Sequence, residues 1–255
     1  MSALFDLTGK TAVVTGSTKG IGKAIARALA QHGARVVVSS RDEGRVEATR
    51  QELAGEGLTV LGLPCNVGRK PELQRLIEET CRAWGQIDIV VGNAAINPHY
   101  GSFTEISDEA FAKTMATNVQ SNLWLAQMVT DEMRERQDGA IIYVSSIGGT
   151  MGSDVIGAYC ISKAAEFQLV RNLAVALGPD NIRVNAIAPG LVRTDFARAL
   201  WEDEDRAAER IARTPLRRLG EPGDIAGIAV YLASDAGRWT TGQSFVVDGG
   251  TSIAG

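Results

Sequence analysis

From residue 11 to residue 248 the chain alternates short β-branched runs with longer amphipathic segments, and this alternation restricts its fold more than any other feature. Seven runs read as strands: residues 11–15, 35–39, 59–65, 87–93, 140–145, 183–188 and 244–248. Several are apolar without interruption, such as Val36-Val37-Val38 and Ile141-Ile142-Tyr143-Val144. A strand with one wet face alternates apolar and polar residues, whereas an unbroken run needs cover on both faces, as in a parallel sheet between helix layers. The segments between them, 21–31, 43–55, 71–84, 108–136, 157–177 and 222–234, carry helical spacing. Ile21, Ala24, Ile25, Ala28 and Leu29 share one face of the first. Pro71 and Pro222 stand near helix starts, and Gly33, Gly57, Gly85 and Gly178 near helix ends. Right-handed crossovers leave few topologies for such a βαβαβ pattern repeated. The expectation is a three-layer, doubly wound α/β (Rossmann) fold, with a seven-stranded parallel sheet and helices on both faces, in one domain over 1–255. One insertion, about 190–219, with an acidic helix-like piece at 201–213, follows the sixth strand, where such folds carry a substrate cover.

The bulk numbers exclude several function classes. A net charge of −4 gives no footing for nucleic acid or an anionic membrane surface. Cys65, Cys81 and Cys160 show no CxxC spacing and read as free thiols of a reducing compartment, while His32 and His99 form no metal-ligand pattern, so no metal is expected. No basic stretch leads into an apolar one at the N-terminus, no run of ~18 apolar residues occurs, and the C-terminal Ser-Ile-Ala-Gly is not a peroxisomal address. These readings predict a cytoplasmic protein.

The first strand runs into Thr15-Gly16-Ser17-Thr18-Lys19-Gly20-Ile21-Gly22. Gly16 permits a sharp turn, Gly20 lets a pyrophosphate approach the backbone, and Gly22 lets the helix pack against the sheet. The helix start offers free N–H groups and positive potential to phosphate. A lone glycine pattern is weak; its place at the first strand–helix junction makes it a dinucleotide site.

This Thr-Gly-(three residues)-Gly-Ile-Gly turn resembles the fingerprint of the short-chain dehydrogenase/reductases. Asn93-Ala94-Ala95, Asn118, Ser146, Tyr159-(three residues)-Lys163 and Pro189-Gly190 resemble that family's further signatures, in order along almost the whole chain. Val-Val-Ser-Ser-Arg, Asn-Pro after Asn-Ala-Ala-Ile, and Arg-Arg-Leu-Gly-Glu-Pro look like its NADPH-dependent carbonyl reductase/retinol dehydrogenase-reductase branch. The resemblance implies an oxidoreductase acting on a carbonyl or alcohol, assembled as a homotetramer.

An NAD site has an acid at the end of the second strand; here that strand ends Ser39-Ser40-Arg41, and Asp42 comes one position later. Arg41 can clamp a 2′-phosphate, with Lys19 beside it, so NADP(H) is expected over NAD(H). Cofactor contacts are expected from Gly16, Ser17, Lys19, Gly20, Ile21, Gly22, Ser40, Arg41, Asn66, Val67, Asn93, Ala94, Ala95, Tyr159, Lys163, Pro189 and Gly190. Asn66 stands where the family usually has Asp, and Ala95 where it usually has Gly. By resemblance, Val192 and Thr194 contact the nicotinamide amide and phosphate.

Tyr159 and Lys163, four apart on a predicted helix, point from one face. A free tyrosine, with a pKa of ~10, is a poor base at neutral pH, and a neighbouring ammonium favours its phenolate. Ser146, thirteen residues earlier, has the family's spacing and can hydrogen-bond the substrate oxygen; Ser145 is expected on the strand's opposite side. The resemblance implies that Asn118 holds a water linking Lys163 to solvent. No G-x-S-x-G elbow accompanies the histidines, which excludes a serine hydrolase of that type.

Ile96, Asn97, His99, Ile147, Val155, Ile156, Leu191, Phe196, Leu200 and Trp201 follow strand ends and form the candidate substrate pocket, apolar enough to predict a small hydrophobic carbonyl or alcohol substrate. His99 reads equally as a plain loop histidine. Two alternatives stand: a 3-oxoacyl carrier-protein reductase, weakened by Glu202, Asp203, Glu204, Asp205 and Glu209 where an acidic carrier would dock, and a non-catalytic nucleotide-binding scaffold.

Overall fold

The computed structural model describes residues 3–254, apart from the side chain of Arg206. Seven strands form one sheet: β1 Thr11–Val14, β2 Arg35–Val38, β3 Val60–Gly62, β4 Ile89–Gly92, β5 Gly139–Val144, β6 Ile182–Pro189 and β7 Ser244–Val247. Their order is β3-β2-β1-β4-β5-β6-β7, and every neighbouring pair is parallel. The winding reverses between β1 and β4. A crevice opens at such a switch point, beyond the carboxyl ends of the strands.

The helices are α1 Gly20–Gln31, α2 Glu43–Gly55, α3 Lys70–Trp84, α4 Asp108–Met115, α5 Ser121–Arg136, α6 Gly157–Leu177, α7 Arg198–Trp201, α8 Glu204–Arg213 and α9 Pro222–Ala233. The unbroken apolar strands feed two separate cores. Ala12 and Val14 of β1 face a cluster with Ile25 and Leu29 of α1 and Ile225 and Ala229 of α9. Val13, between them, faces the other cluster, with Leu73 of α3, Leu125 of α5 and Val170 of α6. Successive side chains leave opposite faces of a strand, so each needs its own helix layer. Burying one valine this way contributes roughly 1.5–3 kcal/mol.

Three elements depart most from the expected bounds. The strand expected over 59–65 shortens to Val60–Gly62 at the sheet's edge, although the N–H groups of Leu63 and Cys65 still reach the carbonyls of Val38 and Ser40 at 3.0 and 2.9 Å. The expected single helix over 108–136 is interrupted by a π-helical turn, Ala116–Gln120, between α4 and α5. The cause lies in the site and is described below. The insertion folds as two helices, α7 and α8, where one piece over 201–213 was expected. The edge strand β7 leaves Val246 49% exposed. Among the described residues, no helix is long and apolar enough to cross a membrane.

Candidate active site

The glycine turn leaves the tip of β1 and is held from β4. The Asn93 amide donates to the carbonyls of Thr15 and Gly16 at 2.9 and 3.0 Å, and the Thr15 hydroxyl accepts from the backbone N–H groups of Asn93 and Ala94 at 3.0 and 3.1 Å. The turn is thus preformed at the switch point. Gly20 has φ +55°, and a Cβ there would stand 3.1 Å from Thr194 Cγ2, in the passage between the turn and the loop after β6. A Cβ on Gly22 would collide with Asn93 Nδ2 and the Gly16 carbonyl. These bare backbones at a helix start fit a dinucleotide pyrophosphate. Ile21 follows Gly20 in α1 and is half-buried. Ser17 sits in the same turn, but its hydroxyl points inward, donating to the Val14 carbonyl at 2.6 Å and accepting from Ser39 N–H at 2.8 Å. Its side chain joins β1 to β2, its backbone N–H also bonds the Ser39 carbonyl at 2.9 Å, and the residue is fully buried.

At the tip of β2, Ser40 bonds locally to Asp42, and Asp42 caps α2 by accepting from Arg45 N–H at 3.0 Å. That carboxylate is committed to the helix start. Arg41 is exposed and has no ion-pair partner among the described residues. Lys19 reaches across the crevice to Asp195 at 3.2 Å, and Asp195 also holds Arg198 at 3.0 Å. These bases hold the Asp195 carboxyl below its ordinary range, chiefly through the Lys19 hydrogen bond. Asn66 Oδ1 accepts from Gly68 N–H at 3.1 Å, and Val67 is buried beside it. Pro189 ends β6; Val192 pairs with Gly220, and the Thr194 hydroxyl bonds back to the Val192 carbonyl at 3.4 Å.

The chemistry-bearing groups converge at the tips of β4 and β5. Tyr159 and Lys163 lie on α6, with the ammonium 5.5 Å from the centre of the tyrosine ring. The Ser146 hydroxyl accepts from Gly148 N–H at 3.0 Å and lies within hydrogen-bonding reach of the Tyr159 phenol. Burial raises the phenol above its ordinary value, and the Lys163 charge opposes this without cancelling it. Ser145, on the strand's other side, donates to the Lys163 carbonyl at 3.0 Å. Lys163 is 1% exposed. Burial opposes its charge, but Glu166 and the phenol of Tyr159 outweigh that and raise its pKa above the ordinary lysine value.

Asn118 explains the π-helical turn. Its Oδ1 accepts from Ile96 N–H at 2.9 Å, and its Nδ2 donates to the Ile96 carbonyl at 3.0 Å and to Ser162 Oγ at 2.9 Å. The amide therefore clamps the loop after β4 to α6, and the helix widens by one residue to bring it inward; such bulges are common at functional sites. The route from Lys163 to Asn118 runs through side chains. Lys163 meets Glu166, Glu166 accepts from Asn122 Nδ2 at 3.2 Å, and Asn122 Nδ2 donates to the Asn118 carbonyl at 2.9 Å. Sequence reasoning missed Glu166 and Asn122. A Lys–Glu pair three apart on a helix reads as a solvated surface pair, and only the fold shows that it is buried.

A cavity of about 750 Å³ opens at Ile147, the residue after Ser146. Val155 and Leu191 line it as expected, joined by Tyr100 and Met151. Its far wall is charged, with Glu209, Arg210 and Arg213 of α8 and Asp248 beyond β7. Ile96, Asn97, Ile156, Leu200 and Trp201 do not line this cavity. The backbone of Ile96 serves Asn118, while the Trp201 indole donates to the Thr194 carbonyl at 2.9 Å and fastens the insertion to its own loop. Phe196 lies against Tyr159, ring centres 5.7 Å apart. His99 is tied to the Ser102 carbonyl at 2.9 Å within its loop. Among the described residues, no three of His, Cys, Asp or Glu gather to hold a metal, and all three cysteines are unpaired.

Comparisons with known proteins agree with this geometry. The family described as Enoyl-(Acyl carrier protein) reductase matches residues 16–252. The human dehydrogenase/reductase SDR family member 4 is 44% identical over 245 residues, covering 96% of this chain and 88% of its own. An L-rhamnose 1-dehydrogenase (NAD(P)(+)) of Azotobacter vinelandii is 39% identical over 252 residues, covering 97% and 98%. Among solved structures, a gluconate 5-dehydrogenase from Burkholderia cenocepacia, in complex with NADP and tartrate, superposes with a TM-score of 0.94 at 30% identity, covering 99% of each chain.

Proposed function

Since the chain belongs to the short-chain dehydrogenase/reductase family, we propose that it is an NADP(H)-dependent oxidoreductase interconverting ketones or aldehydes with alcohols, Tyr159 being its general acid and base. One observation carries this reading: Tyr159, Ser146 and Lys163 meet at the strand tips on the rim that bears the glycine turn.

A nicotinamide bound there supplies or takes up a hydride at the substrate carbon. The chain's own groups manage the oxygen. In reduction Tyr159 gives its proton to the developing alkoxide, and the Ser146 hydroxyl holds that oxygen in place. In oxidation Tyr159 takes the proton back. The phenol, raised above its ordinary value, carries its proton at neutral pH and is ready for reduction. Arg41, which is exposed, and Lys19 would hold the 2′-phosphate, while the N-terminus of α1 would hold the pyrophosphate.

The wall formed by Tyr100, Ile147, Met151, Val155 and Leu191 supports a substrate that is apolar beside its carbonyl. The arginines on the far wall favour a second reading, a substrate with an anionic end such as a hydroxy acid. Oxidation of NADPH and of NADH over a panel of aryl ketones, diketones and keto acids tests the whole reading. Turnover with NADPH preferred is expected. Equal use of the two cofactors would defeat the assignment of Arg41, and no turnover on any member would defeat the reaction class. The half-exposed edge of β7, with Val246 open, supports self-association as a homotetramer, which light scattering would reveal as four chains per particle.

A further inference from the structure

Lys163 has three N–H donors, and all three are engaged inside the protein. Nζ bonds the Val144 carbonyl at 2.9 Å, Glu166 Oε1 at 2.9 Å and Glu166 Oε2 at 3.0 Å. Glu166 is wholly buried, and its Oε1 also accepts from Asn122 Nδ2 at 3.2 Å. Asn122 is fixed in turn: its second amide hydrogen goes to the Asn118 carbonyl at 2.9 Å, and its own carbonyl accepts from Tyr143 Oη at 2.8 Å.

Stability does not account for such a cluster. A buried ion pair contributes little beyond what a well-packed apolar pair of the same volume would. Its effect on the site is electrical. An ammonium near a phenol draws the proton off it, and a carboxylate bound to that ammonium through both oxygens cancels most of the draw. The ionisable groups acting on Tyr159 are Lys163, Glu166 and Cys160, all on α6. From β5 Tyr143 faces Glu166, while the π-helical turn and α5 present the uncharged Asn118 and Asn122. Glu166 works on the Tyr159 phenol in the same direction as burial, and against Lys163.

We infer that Glu166 is a positioning residue for the reaction: it holds the Lys163 ammonium against the tip of β5 and, by neutralising its charge, weakens its pull on the Tyr159 proton. The pair thereby sets the balance between proton donation and proton removal. Any contact of Lys163 with a cofactor ribose must be made by giving up, or sharing, a bond to Glu166 or Val144. The inference rests on the proposed role of Tyr159 as the acid–base group.

Glu166→Gln tests it, because the amide keeps the shape and an acceptor oxygen but removes the charge. The pH profile of alcohol oxidation is expected to keep its ascending limb but to move it down by about one unit or more, so that well below the limb the rate relative to its plateau rises about tenfold. A merely structural role would lower the rate at every pH and leave the limb in place, and that result overturns the inference. A crystal structure of the unmodified protein with NADP+ gives an answer that does not depend on the variant folding. Nζ is expected to stay in hydrogen-bond contact with the Glu166 carboxylate, and a separation beyond about 4 Å overturns the inference. Full activity in Tyr159→Phe would defeat the acid–base reading itself. An inactive Tyr159→Phe beside an unmoved limb in Glu166→Gln defeats the inference alone.

Discussion

Tyr159→Phe removes one oxygen and keeps the ring that lies against Phe196, so packing should survive while proton transfer does not. The expected loss in kcat is about 10²–10⁴-fold, with NADPH affinity by fluorescence little changed. The sign of the pH dependence follows from the same group. Burial, only partly opposed by Lys163, raises the phenol above its ordinary value. Reduction needs the protonated form and should hold level through neutral pH, then fall as pH rises through that pKa. Oxidation needs the deprotonated form and should climb over the same range. Initial rates in both directions across an alkaline pH series would check this, and a reduction rate that rises with pH would contradict it. Arg41→Asp places a carboxylate where an exposed base now stands. It should cut the preference for NADPH over NADH by about 10- to 100-fold in kcat/KM, the size of one or two charge-assisted hydrogen bonds.

At the scale of elements, the π-helical turn Ala116–Gln120 exists because of one side chain. Asn118→Ala leaves the Ile96 N–H, the Ile96 carbonyl and the Ser162 hydroxyl short of a partner. A loss of about 2–4 kcal/mol is expected, read as a lower thermal midpoint. This turn was not legible in the sequence. Residues 108–136 have the same helical propensity with or without the bulge, and the force that opens it comes from Ile96, far away in the chain. The sheet was legible, because Val36-Val37-Val38 and Ile141-Ile142-Tyr143-Val144 have no solution except burial on both faces. The glycine turn was legible for a similar reason, since three glycines at a strand–helix junction have a steric meaning. Glu166 was hidden because residue type and spacing carry no record of depth. Ser17 was misleading for the same reason: its place in the turn is near the crevice, but its hydroxyl is buried against Val14 and Ser39.

Across the whole molecule, every strand runs the same way, so the glycine turn, Asn118, Ser146 and the insertion all crowd onto one rim. The opposite rim holds the turns that lead helices back into strands, together with the segment of residues 3–10 that enters β1. Gly57, between α2 and β3, is one of these, exposed, with nothing within 4 Å of where a Cβ would be. A short Gly-Ser insertion after Gly57 should leave kcat/KM within about twofold and the thermal midpoint nearly unchanged, because exposed loop tips absorb added chain. The same insertion in the loop that carries Thr194 and Phe196 should abolish turnover, since that loop meets both the glycine turn and Tyr159. One-way strands therefore divide the protein into a working end and a handling end. Tags, tethers and surface attachment belong at the second, where a fixture can grip the molecule without touching its chemistry.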